Sequence, residues 1–262
     1  MSVPAPALPL WDDVKTPENP TLTPFLLPGE RIRPALVVCP GGAFIERAAH
    51  EGAPLARWVN SLGLHAFVCD YRVAPSRHPA ALDDAQRALR LIRHRAAEWR
   101  VDPGRLGLMG FSAGGHLVCA AGNLGEDGDA ASPDPLARHS GRPDAVIAGY
   151  PLISNGPFGH PGAFRNLVGD APDPQQVQLL SLETSVTARN PPTFLWSTAE
   201  DLKVPVENSL LYAAALRQHR VPFALHIYPH GPHGLGLAAE NAVVSDWTHR
   251  CAAWLAALGW CG

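Results

Sequence analysis

An α/β fold with a mostly parallel central sheet, flanked by helices on both faces, follows from three observations. Short apolar runs alternate with stretches of helical periodicity along most of the chain. The runs are continuous rather than alternating, as strands covered on both faces require. Strands that alternate with helices connect by right-handed crossovers, which leaves them parallel. At 262 residues the chain suits one such domain, 1–262, and no internal repeat divides it.

The elements follow in order. Residues 1–30 are rich in proline and are expected to run extended over the domain surface. Ala35-Leu-Val-Val-Cys39 is a buried strand that stops at Pro40-Gly41-Gly42. Residues 52–62 carry Leu55, Trp58, Val59 and Leu62 at helical spacing, and residues 64–71 form the next strand. Residues 82–99 place Leu82, Ala85, Leu89, Ile92 and Ala96 on one face of an amphipathic helix. Asp102-Pro-Gly104 is a turn before the strand Arg105-Leu-Gly-Leu-Met109. A helix starts near His116, and a polar loop fills 125–143. A strand over 144–153 precedes an interruption at 155–190, where few apolar runs and one helical patch near 175–180 predict a small cap. Strand 192–199, helix 204–219, strand 223–228 and helix 243–258 complete the alternation.

The most informative stretch is Gly110-Phe-Ser-Ala-Gly-Gly-His116. It matches the G-x-S-x-G turn between a strand and a helix, which exposes a serine hydroxyl at the top of a sheet. A serine is a weak nucleophile until a base removes its proton, so Ser112 needs a histidine and an orienting carboxylate. On this architecture the acid and then the base follow the serine. His230 and His233 share the loop Pro229-His-Gly-Pro-His-Gly234 after the last strand, and His233, followed by Gly-Leu-Gly, is the expected base. Glu200 and Asp201 end the preceding strand; Asp201, one residue further into the loop, is the expected acid, against a plain turn or capping role. Developing negative charge needs N–H donors. Ala113 at the helix start, with Gly42 and Ala43 after the early strand, would supply them from the backbone. Phe44 and Tyr150 are expected to line the substrate pocket. His116 is expected to pack on the sheet. His50, Glu51, Asp70 and Arg72 are expected to play supporting roles, the last two as a buried ion pair.

Composition narrows the classes. Hydrophobic residues make up 46% and charged residues 17%, enough apolar content for a sizeable core. A formal charge of −3 gives no basic footprint, so neither nucleic acid nor an anionic membrane is an expected partner. The five cysteines lack C-x-x-C spacing, and no metal or cofactor is expected. The N-terminus has no signal-peptide pattern and no run reaches membrane-span length, so a cytoplasmic location is expected; the serine, base and N–H donors above suit a small-molecule ester as the partner. Assembly into a homo-oligomer stays open.

From about Ala35 to Leu258 the chain resembles the α/β-hydrolase superfamily. It is most similar to small bacterial carboxylesterases of the acetylxylan-esterase-like group, related to hormone-sensitive-lipase-type esterases. The likeness rests on Cys39-Pro-Gly-Gly-Ala-Phe44, His50-Glu-Gly52, Asp70-Tyr-Arg72 with Ala74-Pro75, Gly110 to His116, Thr198-Ala-Glu-Asp201 with Val204-Pro205, and Gly231-Pro-His-Gly234. It implies Ser112 as nucleophile, Asp201 as acid, His233 as base, and hydrolysis of short acyl esters through an acyl-enzyme, with sugar acetates as a family-level suggestion. Ala43 stands where the family often has a third glycine, and Pro40 replaces the histidine of HGGG enzymes. Small amides or formamides are the alternative substrates, and a non-catalytic binding protein is the alternative from another class.

Overall fold

The computed structural model describes residues 4–12 and 19–261. Its sheet has eight strands in the order β1-β2-β4-β3-β5-β6-β7-β8. These are β1 (Leu8–Pro9), β2 (Thr21–Phe25), β3 (Arg33–Cys39), β4 (His65–Asp70), β5 (Val101–Phe111), β6 (Val146–Gly149), β7 (Thr193–Thr198) and β8 (Phe223–Tyr228). From β4 to β8 every neighbouring pair is parallel. β1 pairs with β2, and β2 with β4, antiparallel. The described part of the Pro-rich N-terminal segment therefore extends the sheet edge; the rest of that segment lies outside the described residues.

The continuous apolar runs are strands covered on both sides. Along β3, Ala35, Val37 and Cys39 enter one core while Leu36 and Val38 enter the other. The first core is closed by α2 (Ala80–His94), α4 (Ala113–Leu124) and α7 (Glu207–Gln218), and the second by α1 (Ala53–Ser61) and α8 (Trp247–Ala257). In the second core Trp196 stacks on Trp247 with ring centroids 5.0 Å apart.

Four local expectations change. The helix expected over 82–99 is α2 followed by the short α3 (Ala96–Trp99), because the chain bends at Arg95. The turn at Asp102-Pro-Gly104 is a bulge inside β5: Arg33 pairs with Val101 but Ala35 with Leu106, and Asp102 Oδ1 accepts the Gly104 N–H at 3.0 Å. Arg72 pairs with buried Asp84 at 2.7 Å, whereas Asp70 faces Arg47 at 3.6 Å, so Asp70 and Arg72 are not a pair. The interruption at 155–190 holds two helices, α5 (Pro161–Val168) and α6 (Pro174–Leu180), where sequence periodicity indicates one. Both start with proline behind a side-chain cap: His160 Nδ1 accepts from Ala163 N, and Asp173 Oδ1 from Gln175 N.

Candidate active site

Ser112 sits between β5 and α4 at φ 53°, ψ −118°, a conformation a non-glycine residue adopts only when its surroundings enforce it. The enforcement is visible. Ser112 N donates to Gly149 O, and the Ser112 carbonyl accepts from His116 N and Leu152 N. The turn needs glycines because a Cβ on Gly110 would lie 2.1 Å from Gly114 O, and one on Gly114 would lie 2.1 Å from Cys39 O.

His233, on the loop after β8, brings Nε2 to 2.8 Å from Ser112 Oγ. Its other nitrogen, Nδ1, lies 2.6 Å from Asp201 Oδ2. A carboxylate only accepts, so Nδ1 carries the proton and Nε2 is left to accept from the serine hydroxyl. Asp201 is completely buried and takes two further N–H donors on Oδ1, from Lys203 at 2.9 Å and Val204 at 3.0 Å. The rival residues form their own pair: His230 Nδ1 lies 2.8 Å from Glu200 Oε1, on the exposed side of the same two loops. The structure thus brings Ser112, His233 and Asp201 together, with His230 and Glu200 outside the group.

The segment 40–44 presents its N–H groups by committing its carbonyls. Pro40 O accepts from Tyr71 Oη, and Gly41 O from Ala48 N. Gly42 O accepts from Ile45 N and Glu46 N, and Ala43 O from Asn166 Nδ2 on α5. In a trans peptide the N–H points opposite the carbonyl. The Gly42 and Ala43 amides are therefore turned away from the loop's interior, and neither donates to a protein acceptor among the described residues. Ala113 adds an N–H from the first turn of α4, where no intrahelical acceptor exists. Gly42, Ala43, Ser112, Ala113 and His233 all line one cleft of about 380 Å³. Gly42 is required by its φ of 130° and because a Cβ there would come within 2.2 Å of Glu46 O.

Phe44 and Tyr150 are corrections. Neither is among the residues that line this cleft, and both are packed behind it at 2% exposure. Phe44 meets the Tyr71 and His116 rings edge-on, and Tyr150 packs its ring against His233 with centroids 5.0 Å apart. His116 also differs from expectation. It faces the cap rather than the sheet, donating from Nε2 to Leu180 O at 3.0 Å and packing against Phe164. Burial pushes its pKa down to about 4. The cleft wall that sequence inspection did not single out is Ile45, Glu46, His160, Ala163 and Lys203. Isolated residues from separate loops carry no shared pattern along the chain, so only the fold assembles them. Among the described residues no group of three or more His, Cys, Asp or Glu could hold a metal ion.

Fold and site together define the class, an α/β-hydrolase with serine, histidine and carboxylate aligned at the top of a parallel sheet. Within that class the chain belongs to the BD-FAE family, whose model matches residues 27–216. It is 38% identical over 233 residues to endo-1,4-beta-xylanase B of Butyrivibrio fibrisolvens, covering 87% of this chain and 36% of that protein. It is 32% identical over 208 residues to an acetylxylan esterase of Xylanibacter ruminicola, covering 77% of this chain and 41% of that protein. The chain thus spans less than half the length of these curated relatives. An acetyl ester-xyloside bifunctional hydrolase from Caldicellulosiruptor lactoaceticus superposes with a TM-score of 0.96 at 46% identity, covering 98% of this chain and 97% of that one. No helix among the described residues is long and apolar enough to cross a membrane.

Proposed function

We propose that this chain is a serine carboxylesterase that removes short acyl groups, acetyl above all, from a polar alcohol of the acetylated-sugar class. The observation that carries the reading is the unbroken relay Asp201–His233–Ser112 opening onto a cleft whose free N–H groups face the same space. In this reading Ser112 Oγ attacks the ester carbonyl while His233 Nε2 takes its proton. Asp201 holds the imidazole in the required tautomer and stabilises its cation. The carbonyl oxygen becomes an oxyanion against the Gly42, Ala43 and Ala113 amides. His233 then hands its proton to the leaving alcohol. Water, deprotonated by the same imidazole, attacks the acyl carbon and releases the acid and free Ser112.

The cleft supports a small, polar substrate. Its volume of about 380 Å³ is at the low end for ligand pockets, and Glu46, His50, His160 and Lys203 stand along it. The names of the relatives, an acetylxylan esterase and an acetyl ester-xyloside hydrolase, support the sugar acetate. Five free cysteines, four of them buried, support a reducing compartment such as the cytoplasm. The test is a panel of p-nitrophenyl esters from acetyl to octanoyl, acetylated xylose, and an aryl formamide. Turnover highest on acetyl esters and on acetylated xylose is expected. Failure to hydrolyse any ester would overturn the reading, and preference for the formamide would replace it with amide hydrolysis.

A further inference from the structure

Glu51 is 2% exposed, and among the described residues no arginine or lysine pairs with it; the nearest basic group is His50, whose Nε2 lies 3.7 Å from Glu51 Oε1. A buried carboxylate in that position is costly unless its oxygens are filled by donors. They are filled from two directions. Oε2 accepts the Gly41 N–H at 2.7 Å, and Oε1 accepts the Tyr150 hydroxyl at 2.6 Å. Tyr150 Oη in turn accepts the Gly236 N–H at 2.8 Å, and the Gly236 carbonyl accepts from Trp247 Nε1 at 3.1 Å. Neighbouring His50 adds a second tie, donating from Nε2 to Gly234 O at 2.9 Å.

The chain Gly41–Glu51–Tyr150–Gly236 therefore spans the active site from below. At one end it holds the peptide immediately before the Gly42 and Ala43 amides. At the other it holds the loop that carries His233, three residues from Gly236. Gly41 is wedged between Glu51 and the turn that carries Ser112: a Cβ there would lie 2.7 Å from Glu51 Oε2, 2.7 Å from Phe111 O and 3.0 Å from Ser112 Cβ. Tyr150 is also held in an unusual backbone conformation, φ 36°, with its N–H on Trp196 O at 2.6 Å. Burial and the Glu51 charge both push the Tyr150 hydroxyl well above its ordinary pKa, so it stays a donor to Glu51.

We propose that Glu51, acting through Tyr150, is a positioning residue that locks the oxyanion loop and the histidine loop into one register around Ser112. The role rests on the esterase reading above. It requires a group that accepts at both oxygens. An amide accepts only at its oxygen: its NH2 end would face either the Gly41 N–H, donor against donor, or Tyr150 Oη, whose own proton would then lose its acceptor. The contribution falls on the transition state, since the ground-state ester gains little from a well-aimed oxyanion hole.

The test compares the parent with Glu51→Gln and Tyr150→Phe by kcat and KM on p-nitrophenyl acetate, rate of Ser112 labelling by a fluorophosphonate, and thermal unfolding. Glu51→Gln is expected to lower kcat and the labelling rate together by roughly 10- to 100-fold, the scale of misplacing a reacting group by a fraction of an ångström. KM should stay within about 3-fold, the mark of an interaction made mainly in the transition state. Tyr150→Phe keeps the ring and the Gly41 contact, so it should lose activity in the same sense but by less. Parent-like kcat and labelling in the folded variants would overturn the role, as would a rise in KM with kcat unchanged. If Glu51→Gln does not fold, Tyr150→Phe decides by the same criteria. A parent that labels but hydrolyses no ester would remove the esterase reading while the labelling rates still judge Glu51.

Discussion

At the residue scale the site is a set of forced conformations and filled hydrogen bonds. Ser112 and Tyr150 both carry positive φ, and both sit where strands end beneath the cleft. Replacing Ser112 or His233 by alanine should cost ~10⁶-fold in kcat, and replacing Asp201 by alanine less, ~10⁴-fold, as for groups that act as one unit. A p-nitrophenyl acetate assay with active-site titration checks the order; an Asp201 loss equal to that at Ser112 would count against it. Gly42→Ala is a separate expectation. Its Cβ would collide with Glu46 O at 2.2 Å, so the loop must shift and its amides with it. A loss of ~10²-fold in kcat follows if one oxyanion donor is misplaced. Near-parent kcat in a folded Gly42→Ala protein would show that the loop presents its amides without this turn. These residues divide in how visible they are along the chain. Ser112, Asp201 and His233 stand out because each occupies a defined place in a strand-loop-helix pattern. Glu51 is visible only as part of His50-Glu-Gly52, with an undefined supporting role; its burial and its two donors are what give it a specific place.

At the element scale the cap is more than a cover. Its helix α5 reaches the 40–44 loop, from Asn166 Nδ2 to Ala43 O at 2.9 Å. Its helix α6 reaches α4, where Leu180 O accepts from His116. Asn166→Ala releases one restraint on the Ala43 peptide. One net hydrogen bond is worth about 1 kcal/mol, so kcat/KM on an acetyl ester should fall by up to ~10-fold with little change in unfolding temperature. An unchanged kcat/KM would mean that the other carbonyl contacts hold Ala43 alone. Helix α5 is hard to see beforehand: Pro157, Pro161 and four glycines in and around it read as loop, whereas here Pro161 occupies the first helical turn behind the His160 cap. The same local ambiguity splits α2 from α3 at Arg95, in a stretch whose apolar spacing runs straight through the break.

At the scale of the whole molecule, burial of histidines couples stability to pH. Burial, with the Arg33 charge adding to it, pushes His65 down to about 4, and burial is the largest cause that pushes His116 to the same range. For His116 the His78 charge adds to burial, and both histidines are neutral in the folded protein where the unfolded chain, near its ordinary value of about 6.5, already takes up protons. The unfolded state thus binds more protons between about 6.5 and about 4, and stability rises with pH across that window. The stabilisation is complete above about 6.5 and is lost as pH falls toward about 4, at about 1.4 kcal/mol per pH unit for each histidine. His116→Gln should remove one such share. Denaturant titrations of parent and variant from pH 4 to 7 would show the difference between them shrinking as pH falls; a constant difference would assign no titration to His116. What the sequence alone determined is the parallel part of the sheet, the order of its main elements, and Ser112, Asp201 and His233 as residues that the fold would bring together. These depend on local periodicity, turn chemistry and the fixed chain order of one topology. Tertiary structure decided the rest: the Arg72–Asp84 pairing, the second cap helix, the burial of Phe44 and Tyr150, and the Glu51 brace. Each of those joins residues that are close only after the sheet has formed, and no spacing along the chain encodes a contact that depends on how helices and loops pack over it.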